Sequence, residues 1–145
     1  MRFPRLFACL FALGTAAALA QPRPAVLARG LENPWALAFL SGGRYLVTEK
    51  LGRMRIDEAD GKVGPPLLGV PPVAIGGQGG LLDLLLDSAF ESNRTLYFCF
   101  SEPDSEAEGG RTNGTALARA QLSTDRARLE NVRVIFRQKP KVASR

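Results

Sequence analysis

Short apolar runs recur along this chain in a fixed order, and their spacing constrains the fold more than any single motif does. Trp35-Ala-Leu-Ala-Phe39 is answered about 46 residues later by Leu81-Leu-Asp-Leu-Leu85. Tyr45-Leu-Val-Thr48 is answered by Leu96-Tyr-Phe-Cys99 about 51 residues on, and Arg53-Met-Arg-Ile56 by Leu117-Ala-Arg-Ala120 about 64 residues on. Proline and glycine punctuate the chain between these runs, which are too short for amphipathic helices and suit strands. A period in the forties, with three or four strands in each repeat, is the signature of a β-propeller blade. The growing offset predicts an insertion at Glu102 to Asn113, acidic and glycine-rich. The fold class expected is therefore all-β, with one full blade, most of a second, and essentially no helix after the amino-terminal segment.

Within this frame, Trp35 to Leu40 and Arg44 to Glu49 are strands joined by a hairpin at Ser41-Gly42-Gly43. Arg53 to Asp57 alternates basic and apolar residues, as a half-exposed strand does. Pro65, Pro66, Pro71 and Pro72 bracket Leu67 to Val70 and confine it to a sheet edge or an extended link. Leu81 to Leu86 is a continuous apolar run, which predicts a buried strand. Thr95 to Ser101, Thr115 to Leu122 and Val132 to Arg137 complete the second repeat.

The first 20 residues read as a secretory signal. Arg2 and Arg5 form the charged start, Leu6 to Ala20 the apolar stretch, and Ala18-Leu19-Ala20 a small-x-small cleavage site. The stretch is too short and wrongly flanked for a membrane span, so no stable membrane insertion is expected. Residues 21–145 would form the mature chain, in the periplasm or secreted. Cys9 lies too early in the apolar run for a lipoprotein anchor. That leaves Cys99, which has no internal partner for a disulfide and is expected to pack as a small apolar residue.

The formal charge is +5, and two of the arginines leave with the signal. The basic residues are scattered, with one small cluster at Arg137, Lys139, Lys141 and Arg145. A nucleic-acid surface needs a denser stripe with interleaved aromatics, so no nucleic-acid partner is expected. The chain contains no histidine at all, which removes the commonest general base and metal ligand.

One run carries most of the chemical signal. Gly76-Gly77-Gln78-Gly79-Gly80 passes directly into Leu81-Leu82-Asp83-Leu84-Leu85-Leu86-Asp87. Glycine is costly to order, so such a cluster marks backbone with unusual dihedrals or a close approach. Gln78 is the only side chain in the cluster able to hydrogen-bond a ligand. The alternative is a tight turn before a strand, with the amide capping its own loop.

Other candidates are weaker. Asp83 and Asp87 could pair as carboxylates, but Asp87-Ser88 reads better as a turn. Glu102, Asp104, Glu106 and Glu108 lack the regular oxygen spacing of a calcium loop and read as a solvated loop. Asn93-Arg-Thr95 and Asn113-Gly-Thr115 match the N-glycosylation pattern, which is short and common by chance.

Taken together, several motifs resemble one family. Leu31-Glu-Asn-Pro-Trp-Ala-Leu-Ala-Phe39, Gly43-Arg-Tyr-Leu-Val-Thr-Glu49, Gly52-Arg-Met-Arg-Ile56, the Gly76 to Asp87 run and Val134-Ile-Phe-Arg-Gln-Lys-Pro-Lys-Val142 occur in the order and spacing of the soluble quinoprotein glucose/sorbosone and aldose sugar dehydrogenases. The resemblance covers residues 26 to 142. It implies a six-bladed propeller, of which residues 21–145 would supply about the first two blades, and a protein more than twice this length.

It also implies pyrroloquinoline quinone and calcium as cofactors, and an aldose and an electron acceptor as partners in the complete protein. The aldose would be oxidised at its anomeric carbon to a lactone. By the same resemblance Gln78 stands at the active-site glutamine of a Gly-Gln-x-Gly-Leu-Leu-like motif, with Gly77 and Gly79 letting the loop approach the quinone. The family's basic histidine would follow Gln138-Lys-Pro-Lys-Val-Ala-Ser144, beyond Arg145, so no catalytic or metal-binding residue is assigned and this chain alone is expected to be inactive. The rival function is a non-catalytic propeller module that binds carbohydrate or protein partners.

Overall fold

The protein, seen in a computed structural model, is described over residues 22–104 and 112–143. The signal segment, the cleavage site before Gln21, Glu106, Glu108 and Arg145 all lie outside the described residues.

Two antiparallel sheets follow one another along the chain. The first contains β1 (Pro34–Phe39), β2 (Tyr45–Glu49), β3 (Arg53–Asp57) and β4 (Val63–Pro66), paired in that order. The second contains β5 (Leu81–Leu86), β6 (Thr95–Pro103), β7 (Thr112–Leu122) and β8 (Leu129–Arg137), also paired in order, with the short β9 (Val142–Ala143) on the far end of β7. Each sheet is a meander, the strand order of a propeller blade. The repeat seen in the sequence therefore maps β1 onto β5, β2 onto β6 and β3 onto β7. The second sheet is complete rather than partial.

The sheets pack face to face. Side chains alternate along each strand, so one face of every strand feeds a shared core. Leu46, Met54 and Ile56 enter it from the first sheet, and Leu81, Leu84, Leu96, Phe98 and Phe100 from the second. Ala116, Ala118 and Ala120 of β7 are fully buried beside the phenylalanines, small residues set next to large ones. The rings of Phe98 and Phe100 lie 5.8 Å apart, tilted by 38°.

Several expectations need correction. Leu81 to Leu86 is not a wholly buried strand. Leu81 and Leu84 are buried, but Leu85 is 68% exposed, because among the described residues no sheet covers the outer face of the second blade. The hairpin expected at Ser41-Gly42-Gly43 does join β1 to β2, and it does so through a single 3₁₀ turn. Pro65 and Pro66 lie within β4, on the sheet edge, where a missing N–H costs nothing. The insertion is shorter than expected, since β6 and β7 continue their pairing out to Glu102–Gly114 and Pro103–Asn113.

Helix is nearly absent but not wholly so. A single turn, α1 (Phe90–Asn93), joins β5 to β6. Asp87 supports it by accepting from the Ala89 N–H and the Asn93 amide, both at 2.9 Å, and Arg94 ends it in a left-handed conformation.

The outer face of the first sheet is apolar and partly open. Trp35 is 50% exposed and Phe39 73% exposed. The 22–33 segment runs over this face, and Leu27, Leu31, Trp35, Leu37 and Phe39 line an open pocket of about 260 Å³. Tyr45 and Asp57, opposite each other across β2 and β3, also line it. The buried Tyr45 hydroxyl and Asp57 Oδ2 find no hydrogen-bond partner among the described residues. Burial pushes the Asp57 carboxyl up, against the N–H of Gly64 and the charge of Arg55.

Candidate functional site

The glycine cluster lies at the junction of the two blades, just before β5. Its tip is a tight turn in which the Gly79 N–H donates to the Gly76 carbonyl at 2.7 Å. Gly77 takes a φ of 50°, a left-handed value that disfavours residues with a Cβ. Gln78 occupies the other corner. Its carboxamide is exposed and makes no hydrogen bond among the described residues. The amide therefore does not cap its own loop. It presents one acceptor and two donors outward.

The backbone beneath this turn is tied down on two sides. On the β6 side, the Ala74 N–H donates to the Ser101 carbonyl at 2.8 Å, and the Ser101 N–H to the Gly80 carbonyl at 2.9 Å. The Gly80 N–H donates to the Ser101 hydroxyl at 3.2 Å, in a buried position. On the β2 side, the Leu81 N–H donates to the Lys50 carbonyl at 3.0 Å. Gly79 is half-buried, with the Ala74 and Gly76 carbonyls and the Ser101 hydroxyl each 3.0–3.1 Å from where a Cβ would stand.

Lys50 is the residue that reading the sequence missed. It follows β2, and its ammonium donates to the Gly77 carbonyl at 2.7 Å. The same ammonium lies 5.5 Å from the centre of the Trp35 ring, within cation–π range. A Cβ on Gly80 would collide with the Lys50 carbonyl and stand 2.5 Å from its Cγ. Gly80 is thus bare because Lys50 crosses it. Nothing local in the sequence signals a contact between residues 27 apart.

Behind Lys50, a buried carboxylate braces the β2–β3 turn. Glu49 Oε2 takes the Arg53 Nε at 2.6 Å and the Arg55 Nε at 2.9 Å, and Oε1 takes the Glu32 N–H at 2.6 Å. Arg53 also reaches Glu32 at 2.7 Å. Burial alone would push the Glu49 carboxyl up. The Glu32 N–H and the two guanidiniums outweigh it and hold the group below the ordinary carboxylate range.

The remaining candidates resolve as structure. Asp83 accepts from the Leu84 N–H beside it, while Asp87 serves the helical turn and the Tyr97 hydroxyl, so the two are not a carboxylate pair. The basic cluster is partly neutralised. Glu102 binds Arg137 at 2.8 Å and Lys141 at 3.1 Å, and these contacts hold its carboxyl low against the opposing effect of burial. Cys99 is half-buried, and burial pushes its thiol up. Asn93 is engaged with Asp87 and the Thr95 N–H. Among the described residues no three His, Cys, Asp or Glu side chains form a metal-holding group. No helix among them is long and apolar enough to cross a membrane.

Comparison with known proteins places this geometry. Residues 31–145 match the family described as Glucose / Sorbosone dehydrogenase. The chain is 38% identical over 120 residues to the aldose sugar dehydrogenase YliI of Escherichia coli K12, covering 82% of this chain and 31% of that protein. A crystal structure of a glucose dehydrogenase superposes with a TM-score of 0.76 at 48% identity, covering 83% of this chain and 34% of that one. The PQQ-bound aldose sugar dehydrogenase of Streptomyces coelicolor superposes with a TM-score of 0.66 at 27% identity, over 80% of this chain and 33% of that one. The chain thus spans about a third of the length of these relatives.

Proposed function

The chain belongs to the glucose/sorbosone dehydrogenase family, and on that premise we propose that it forms the first two blades of an exported, pyrroloquinoline quinone-dependent aldose dehydrogenase. Gln78 supplies a contact to the cofactor or sugar, with Gly77 and Gly79 shaping the loop that carries it. The observation that supports this reading is the outward-facing Gln78 carboxamide, without an internal partner, on a turn whose backbone is pinned by Ser101 and Lys50.

The residues present fit the proposed cofactor. Pyrroloquinoline quinone offers carbonyl and carboxylate oxygens, and the exposed Gln78 amide offers two donors to them. When bound, the quinone supplies the acceptor for hydride from the anomeric carbon. Gln78 would hold an oxygen in place by its N–H₂ or accept a sugar hydroxyl through its carbonyl. Its rigid loop means little ordering is needed on binding. Among the described residues no three His, Cys, Asp or Glu side chains are grouped to hold calcium, and no residue here is assigned to it.

The anomeric hydroxyl must also lose a proton, and the 145 residues contain no histidine to take it. The segment by itself would thus supply a piece of the binding surface, and no general base is assigned within it. Residues 1–20 would direct export to the periplasm or beyond.

The test is reconstitution. A chain of full family length carrying this segment should reduce an artificial electron-accepting dye with aldoses, only after loading with pyrroloquinoline quinone and calcium. A loaded, folded protein that reduces no dye with any aldose would leave the non-catalytic binding module as the function.

A further inference from the structure

We propose that Lys50 is a positioning residue for Gln78: it holds the glycine turn in the one conformation that presents the carboxamide. Three observations converge on it. The Lys50 backbone is locked on both sides, its N–H donating to the Asn33 carbonyl at 2.9 Å and its carbonyl accepting from Leu81 at 3.0 Å. Its stem passes over Gly80, where any side chain would block it. Its ammonium then reaches the Gly77 carbonyl at 2.7 Å, one residue before Gln78, and rests near the face of Trp35.

The turn needs such a clamp. Gly76, Gly77, Gly79 and Gly80 carry no side chains of their own, and glycine backbone loses more freedom on ordering than any other. Within the turn itself only the Gly79 N–H to Gly76 carbonyl bond closes the loop. The bonds at Ala74, Gly80 and Leu81 hold the two ends of the turn, and the Lys50 ammonium is the side-chain tie at its Gly77 corner, next to Gln78. The clamp also comes from the first blade while the turn opens the second, so Gln78 is aimed by the seam between the blades.

This role rests on the quinone-site reading of Gln78, and the two can fail separately. In a full-length protein carrying this segment and prepared without cofactor, two quantities are measured: amide hydrogen exchange at Gly79, and the dissociation constant for pyrroloquinoline quinone by fluorescence titration. Lys50→Met keeps the stem and removes the ammonium, and Lys50→Arg keeps a charge. Lys50→Met should quicken Gly79 exchange and weaken quinone binding by roughly 3- to 10-fold, the scale of one partly exposed charge-assisted hydrogen bond. Lys50→Arg should recover most of both. The double variant with Gln78→Ala should bind no more weakly than Gln78→Ala alone, because Lys50 acts through Gln78.

Unchanged Gly79 exchange in Lys50→Met overturns the proposal. So do penalties that multiply in the double variant, since Lys50 would then act on the ligand independently. If Gln78→Ala binds quinone like the parent while Lys50→Met still loosens Gly79, the clamp stands and the quinone reading of Gln78 falls.

Discussion

Thr48, fully buried on β2, donates its hydroxyl to the Leu82 carbonyl of β5 at 2.7 Å and accepts from the Ala36 N–H at 3.0 Å. One hydroxyl thus satisfies two part-buried backbone groups in two different blades. The β1–β2 ladder shifts register between Pro34 and Ala36, and the β5–β6 ladder between Leu81 and Leu84, so both groups belong to strands whose regular pairing is interrupted nearby.

Thr48→Val preserves shape but leaves the Ala36 N–H and the Leu82 carbonyl without this partner. The expected loss is about 1–3 kcal/mol of unfolding free energy, from two part-buried groups at the low end of about 1–3 kcal/mol each. Thr48→Ser keeps the hydroxyl and should lose only about 1 kcal/mol for the methyl group. Denaturant titration of both variants in a full-length protein carrying this segment checks the difference; equal losses would mean that packing, not hydrogen bonding, holds the seam.

Glu49 should make the protein acid-sensitive. Its folded carboxyl lies below the ordinary value of 4.5, so its stabilisation is complete above that value and is lost as pH falls through the folded one. Glu49→Gln removes the charge that Arg53 and Arg55 share and should cost about 2–3 kcal/mol at neutral pH, below the ~3–5 kcal/mol of a wholly buried pair because both arginines keep some solvent contact. The variant should also lose part of the parent's acid-dependent decline. Melting temperatures from pH 7 down to pH 3 provide the measurement, and parallel curves for parent and variant would count against the assignment.

Gln78→Ala should separate turnover from stability. The side chain is exposed and replaces no packing, so the melting temperature of a full-length protein should hardly change. Loss of a hydrogen bond to a charged or polarised group is worth about 1.5–3 kcal/mol, or on the order of 10- to 100-fold in rate or affinity. Steady-state kinetics with an aldose decide it, and unchanged constants would return Gln78 to an ordinary turn residue.

The 145-residue polypeptide on its own should self-associate and reduce no dye. Trp35, Leu37 and Phe39 open one apolar face, and Leu85, Ile135 and Phe136 are exposed on the second blade. Uncovered apolar surface and sheet edges of this kind favour pairing between chains. Light scattering of residues 21–145 should report oligomers, and quinone loading should yield no dye reduction. A monomer with sharp, reversible unfolding would contradict the first expectation, and any turnover the second.

Export is tested by amino-terminal sequencing of secreted material, which should begin at or near Gln21. A soluble cytoplasmic product that retains Met1 would remove the signal reading.

Strand positions and their order were legible in the sequence because apolar alternation and Pro/Gly punctuation are local. Every residue from Trp35 to Phe39, Arg53 to Asp57 and Thr115 to Leu122 carries its own evidence for the pleat, and the repeat of three such runs is enough to name a blade. The glycine turn and the isolated Gln78 were legible for the same reason, since glycine states a backbone requirement wherever it stands. What the sequence could not state was which distant groups answer each requirement. Glu49 gathers Glu32, Arg53 and Arg55 only after the strands of the first sheet have paired, and Lys50 reaches Gly77 and Thr48 reaches Leu82 only after the two sheets have stacked. The exposure of Leu85 likewise depends on whether another sheet covers that face, which no local pattern encodes. Local steric and solvation preferences are written residue by residue; a hydrogen bond between blades exists only once tertiary packing has brought its two ends within three ångströms.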